Sequence, residues 1–286
     1  METSAAVNSA MGVSVMSDIS DEENWSYSSS GVTDPMLIEE YNGKIYVYGS
    51  AFKVYNPANG TWAELTHSYN DEIVFCNGSF YAYYATWRAD GDDYWAAMYG
   101  LSKYNISTNT WTTIESDDSG GFFDPAITVC DDRIYFGGGF EVIYDEPVKQ
   151  DRYDVSYFDT SDYTWHKFNG VVGGGYTVAV LCEDAGAYYN DIFYVDGYCV
   201  TRFDTDTNTS TTIGYTDGYF YNPAYSLQHA AVYKNGTIYL AGRTDRESYN
   251  INKYNIADNT WSNIDSLVEA DAYSMVEYNN KLYTWG

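Results

Sequence analysis

A single aromatic interval constrains this chain more than any other feature. An aromatic residue stands seven positions before a tryptophan at Tyr55 and Trp62, Tyr104 and Trp111, Phe158 and Trp165, and Tyr254 and Trp261. A fifth copy, Phe203 with Ser210, keeps the interval and lacks the tryptophan. Turn formers lie between the members of each pair, as in Asn56-Pro57-Ala58-Asn59-Gly60 and Asp204 to Asn208. Asn, Asp, Gly and Pro supply the backbone angles and local side-chain bonds that reverse a chain. Each copy therefore reads strand, tight turn, strand.

A second interval is independent of the first. A tyrosine precedes a glycine by three at Tyr46 and Gly49, Tyr135 and Gly138, Tyr194 and Gly197, Tyr239 and Gly242, and Tyr283 and Gly286. Ahead of these runs sits a turn, often Asn-Gly, as at Asn42-Gly43, Asn77-Gly78 and Asn235-Gly236. Asn-Gly between apolar runs is a strong hairpin signal, because both residues tolerate positive φ. One more apolar run lies upstream, such as Ile73-Val74-Phe75. The unit is thus four antiparallel strands, a to d, recurring at 35 to 59 residues between Tyr46, Tyr81, Tyr135, Tyr194, Tyr239 and Tyr283. That period marks a β-propeller blade. A β-sandwich has no reason to repeat two unrelated aromatic intervals.

The stretch Gly43-Lys44-Ile45-Tyr46-Val47, with Tyr55 and Trp62 beyond it, resembles the kelch repeat, and the resemblance recurs over nearly the whole chain. The family's glycine doublet is kept at Gly137-Gly138-Gly139, half kept at Gly49-Ser50 and Ala241-Gly242, and lost at Tyr83-Tyr84. The resemblance implies an all-β propeller of four-stranded antiparallel blades. Six blades are expected. Residues 272–286 supply strands a and b of the sixth, while Met11 to Met16 and Glu23 to Tyr27 read as its strands c and d. The N-terminal segment is then expected to close the ring, splitting the last blade between 11–30 and 265–286. Residues 1–10 read as a disordered lead-in, and 11–286 as one propeller.

Composition excludes several functions. The net charge is −27 with only 14 Lys plus Arg, which argues against nucleic acid and anionic membrane surfaces. No run approaches eighteen apolar residues, so no membrane insertion is expected. Met1 to Ser20 holds no Lys or Arg before its modest apolar stretch, unlike a signal peptide. The chain reads as cytoplasmic or as a piece of a larger secreted chain. Its Tyr-, Asn- and Thr-rich make-up favours an extracellular or cell-surface bacterial setting by association. Cys76 and Cys130 end strand a in successive blades, with Cys182 as a third, so they read as buried, unbridged thiols.

In a meandering blade the b–c and d–a connections emerge on one face. Here they are the longer ones. The b–c segment of blade two, Ala85 to Gly100, holds Trp87, Arg88, Tyr94 and Trp95. That of blade three, about Phe140 to Asp154, holds Glu141 and Arg152, and that of blade five holds Arg243 and Arg246. The d–a segments add Phe122, Phe123, Tyr219 and Tyr221. Long connections on a rigid scaffold concentrate binding, and Trp, Tyr and Arg dominate contact energies. These twelve residues are the candidate ligand-binding set.

No catalytic set is expected. The three His (His67, His166 and His229) share no metal-like spacing, and no Cys-x-x-Cys occurs. Gly173-Gly174-Gly175 lacks the Lys-Ser/Thr of a phosphate cradle. Asp204-x-Asp206-x-Asn208 resembles the start of a calcium loop but lacks its later Gly and Glu, and it coincides with a c–d turn. No metal or cofactor is expected. The first reading is a non-catalytic, monomeric binding module for a protein or glycan. Through the kelch resemblance, an alternative is a carbohydrate enzyme of the sialic-acid mutarotase type, using Glu141, Arg152, Arg243 and Arg246. A third is a structural propeller piece of a larger surface protein.

Overall fold

A computed structural model of the 286-residue chain describes residues 14–16, 25–27, 31–32, 37–68, 72–89, 95–114, 125–143, 148–151, 154–168, 178–182, 190–195, 199–215, 231–243, 249–264, 274–278 and 281–285. Side chains are described for fewer, notably not for residues 86–89 and 95–99 or 140–143. All described secondary structure is β. Strands β1 (Ser14–Met16) and β2 (Trp25–Tyr27) form an antiparallel pair. Sheet one contains β3 (Leu37–Tyr41), β4 (Lys44–Tyr48), β5 (Phe52–Asn56) and β6 (Thr61–Leu65). Sheet two contains β7 (Glu72–Cys76), β8 (Ser79–Ala89), β9 (Trp95–Asn105) and β10 (Thr110–Ile114). Sheet three begins with β11 (Ala126–Cys130) and β12 (Arg133–Gly137). A separate hairpin, β13 (Phe140–Ile143) with β14 (Val148–Asp151), intervenes before β15 (Val155–Asp159) and β16 (Thr164–Phe168) complete it. Sheet four contains β17 (Val178–Leu181), β18 (Ile192–Val195), β19 (Cys199–Asp204) and β20 (Thr209–Tyr215). Sheet five contains β21 (Ala231–Lys234), β22 (Thr237–Arg243), β23 (Tyr249–Asn255) and β24 (Thr260–Ile264). Strands β25 (Ser274–Tyr278) and β26 (Lys281–Trp285) form a final pair.

The five four-stranded sheets are the expected antiparallel meanders. Their first strands succeed one another side by side, β3 next to β7, then β11, β17, β21 and β25. This is a propeller-like arrangement. The pairs β1–β2 and β25–β26, expected to make a sixth blade together, are each a separate two-stranded sheet among the described residues.

Local chemistry sets the turns. Asn42, Asn77 and Asn235 have φ of 53°, 47° and 49°, and the glycine after each is also positive, which fits the twist of a two-residue hairpin. Every c–d turn opens on an Asx residue whose Oδ1 accepts the amide two positions on: Asn56 from Ala58, Asn105 from Ser107, Asp159 from Ser161, Asp204 from Asp206 and Asn255 from Ala257. The apparent calcium sequence at Asp204 is this turn. The residue two before the tryptophan position is left-handed in all five: Gly60, Asn109, Tyr163, Asn208 and Asn259.

Among the described residues the core comprises four clusters, each drawn from two consecutive sheets. Tyr46 of sheet one meets Phe80 of sheet two at 4.9 Å between ring centroids, and Tyr83 of sheet two meets Phe136 of sheet three at 5.2 Å. Between sheets three and four, the Tyr194 ring fills the space over Gly137, where an added Cβ would fall 2.3 Å from Tyr194 Cε1. The repeat tryptophan joins these clusters and reaches further. Trp111 Nε1 donates to Thr66 O of the preceding sheet's exit at 2.6 Å, and Trp261 Nε1 to Tyr215 O at 3.1 Å. Beside them, Tyr104 and Tyr254 donate to Asn109 Oδ1 and Asn259 Oδ1 at 2.7 and 3.0 Å. Cys76, Cys130 and Cys182 are buried free thiols, as their positions predict.

The tryptophan thus both packs and ties. Trp261→Ala is expected to cost about 3 kcal/mol in a denaturant titration, since it removes the ring from the interface between sheets four and five. Trp261→Phe keeps most of the ring, forfeits the bond to Tyr215 O and should cost about 1 kcal/mol. Equal losses in the two variants would show that the bond, not the packing, holds this interface.

Candidate functional site

The b–c connection of sheet two differs from the expected loop. Pairing continues through Tyr84↔Gly100, Trp87↔Ala97 and Arg88↔Ala96 to Ala89↔Trp95, so β8 and β9 are each 11 residues long. Only residues 90–94 are left to join them. The flanks, Ala85 to Ala89 and Trp95 to Tyr99, hold Thr86, Trp87, Trp95 and Tyr99, which suit strands, among four alanines. The turn signal is confined to the Asp-Gly cluster between them. Three predicted residues, Trp87, Arg88 and Trp95, therefore stand on one projecting hairpin. Glu141 stands on the accessory hairpin of sheet three, opposite Gln150. Arg243 ends β22 opposite Tyr249, at the corresponding end of sheet five. Tyr94, Phe122, Phe123, Arg152, Tyr219, Tyr221 and Arg246 lie outside the described residues.

At the root of the long hairpin lies a groove of about 570 Å³, between the exit of sheet one and the outer half of sheet two. Its first wall is the segment after β6. Thr66 N donates to Asn109 Oδ1 at 2.7 Å, and Thr66 Oγ1 donates to Asn109 O at 2.8 Å. His67 stacks on Tyr48 at 4.5 Å with planes 10° apart, and its Nε2 lies 2.7 Å from Gly49 O. A carbonyl only accepts, so Nε2 carries the proton. Ser68 Oγ and Tyr48 Oη lie 2.7 Å apart. The opposite wall comes from Tyr84, Ser102, Trp111 and Thr113. Of these residues the sequence reading named His67, as one of three histidines without metal spacing, Trp111, as a repeat position, and Tyr84, where the glycine doublet is lost. The available signal was Tyr84, which occupies the place of the repeat glycine.

Burial holds several thiols and phenols of the described residues in their neutral forms. Burial pushes the Cys76 and Cys130 thiols up to about 11. Burial likewise drives Tyr104 and Tyr135 to about 12 and Tyr194 well above the ordinary phenol value. Asp191, buried next to Arg202 at 2.6 Å, is raised by desolvation against the pull of that guanidinium. Among the described residues no group of three or more His, Cys, Asp or Glu is placed to hold a metal ion. One carboxyl stands out. Glu39, on the first strand of sheet one, is raised to about 6 by burial and secondarily by the charge of Glu40.

These features define an all-β, propeller-like protein with a hairpin-bearing face and an inter-sheet groove. No family model matches the chain, and no curated protein matches it. Among solved structures, that of YjhT is similar, with a TM-score of 0.60 and 15% sequence identity, covering 88% of this chain and 90% of that one. Identity at that level concerns the fold alone. In all, 208 solved chains match, so the architecture does not by itself select a function.

Glu39 gives a pH signature. The folded state holds this proton more tightly than the unfolded chain, so its ionisation weakens the fold. The penalty is absent below the unfolded value of 4.5 and complete once pH has risen through about 6. Glu39→Gln should therefore raise the thermal midpoint relative to the parent at about pH 7.5 and leave it unchanged at about pH 4. A constant difference across that range would place Glu39 in solvent.

Proposed function

We propose that this chain is a non-catalytic binding module of the kelch type, taking a protein or glycan on the face formed by its b–c and d–a connections. The observation that carries this reading is the projecting hairpin of sheet two. Its strands run about twice the length of the five-residue strands around them and carry Trp87, Arg88 and Trp95 beyond the sheet body. A hairpin continuous with a rigid sheet is pre-organised, which lowers the entropy lost when its side chains are engaged. Glu141 and Arg243 occupy corresponding ends of sheets three and five, so the same face offers charge of both signs.

A thermal-shift screen against sugars, sialic acid included, followed by pull-down for protein partners, tests the reading. A ligand at a hundred times its Kd stabilises by about 2.7 kcal/mol, which moves the midpoint by several degrees. Trp87→Ala and Trp95→Ala should abolish that shift or capture while leaving the unliganded midpoint in place. Retention of binding in both variants would remove the hairpin from the site.

The reading includes a six-bladed ring in which β1–β2 completes β25–β26. Supporting it are the two end pairs and the packing of β25 against β21 and β22. Deleting residues 1–30 should then lower the thermal midpoint markedly, because it strips the outer half of a blade. An unchanged midpoint would mean that the N-terminal pair does not close the ring.

A further inference from the structure

The groove at the root of the hairpin is where sheet two departs from the repeat. Pairing fixes the equivalences. Phe80 lies opposite Tyr104, as Ile45 does Tyr55, Ile134 does Phe158 and Ile238 does Tyr254. Four residues on, these strands carry Gly49, Gly138 and Gly242, whereas sheet two carries Tyr84. Across from Tyr84 stands Gly100, and a Cβ there would fall 2.8 Å from Tyr84 Oη and 3.2 Å from Ile114 O. The tyrosine thus lies across a glycine that makes room for it.

The groove runs along the cross-strand pair Ser102 and Thr113. The equivalent pair is Lys53 and Glu64 in sheet one, Ser156 and Lys167 in sheet three, Thr201 and Thr212 in sheet four, and Asn252 and Asn263 in sheet five. The two sheets beside sheet two thus carry charge at this pair, while sheet two carries hydroxyls alone. In a chain of net charge −27, no described residue lining the groove carries a carboxylate, ammonium or guanidinium group. Neither Tyr84 Oη nor Ser102 Oγ has a hydrogen-bond partner among the described residues, whereas Thr66, His67 and Ser68 are pinned as a fixed opposite wall.

We propose that this groove is a subsite for a neutral saccharide, an inference that rests on the ligand-binding face proposed above and names one ligand class for it. Its size is that of small-molecule sites. An ionic ligand would find no counter-charge among the described lining residues. A sugar exchanges bonds to water for bonds to Tyr84, Ser102 and Thr113, and lays its apolar C–H face on the indole of Trp111.

Calorimetric titration of the full chain with maltohexaose, cellohexaose, xylohexaose and N-acetylchitohexaose tests the assignment. At least one of the four should bind saturably. Thr113→Arg, made at an exposed position, sets a long cation in the groove and should weaken that binding roughly tenfold or more. Tyr84→Phe removes one hydroxyl, keeps the ring and should weaken it roughly threefold to tenfold with the thermal midpoint unchanged. Binding that survives both variants but is lost in Trp87→Ala would overturn the groove and leave the hairpin face as the site. Failure of all four sugars to bind the folded chain would also overturn the groove, while capture of a protein partner sensitive to Trp87→Ala would keep the face.

Discussion

A four-stranded sheet has two faces and, alone in water, can cover neither. Everything else in this structure follows from covering both. Each of sheets two, three and four divides its side chains between two clusters, as β7 does by sending Ile73 one way and Val74 and Cys76 the other. Aromatic rings carry most of this burial, and a ring that size contributes about 2–3 kcal/mol. Burial is non-directional, however, and would tolerate sliding of one sheet over the next. Direction comes from the tryptophan N–H bonds to Thr66 O and Tyr215 O, each made to the exit of the preceding sheet. These bonds fix the position of one blade's outer strand against its neighbour's turn. The connections that leave sheets one and four are thereby pinned where they begin, whereas Trp165 Nε1 of sheet three is buried without a partner among the described residues.

The interlock explains why so much of the fold was legible. Asn105 and its equivalents open the turn in all five four-stranded sheets, and the aromatic at the Tyr104 position is buried in all five, so both recur at a fixed interval and can be read without coordinates. The buried thiols were legible for the same reason, through their shared place at the end of the first strand. Blade four shows how the rule weakens. Phe203 lacks the hydroxyl that Tyr104 and Tyr254 give to the turn asparagine, and Asn208 Oδ1 is buried there without a partner. The interval survives in the sequence, but one of its bonds does not.

The site was less legible because sites are the places where the interval is broken. The segment from Ala85 to Gly100 was read as a loop because the repeat places the end of its second strand near this point. Pairing instead runs on to Ala89 and Trp95, and in sheet five it likewise passes Gly242 to reach Arg243. Nor does the sequence say that Thr66 to Ser68 faces Tyr84, since those residues meet only through the stacking of sheet one on sheet two.

Tyr84 and Gly100 argue that the departure is organised. A tyrosine introduced at a glycine position between two packed sheets collides with whatever backbone faces it, at a cost of about 1–3 kcal/mol for overpacking. A glycine introduced into a strand, alone, weakens it by removing a packing side chain and freeing the unfolded backbone. Either change by itself is a loss. Together they place a phenol hydroxyl over bare backbone at the edge of a groove, with Ser102 and Thr113 replacing the charged residues of neighbouring sheets. The two losses offset each other, because the glycine leaves the space that the phenol needs, and the phenol stands in the wall of the groove.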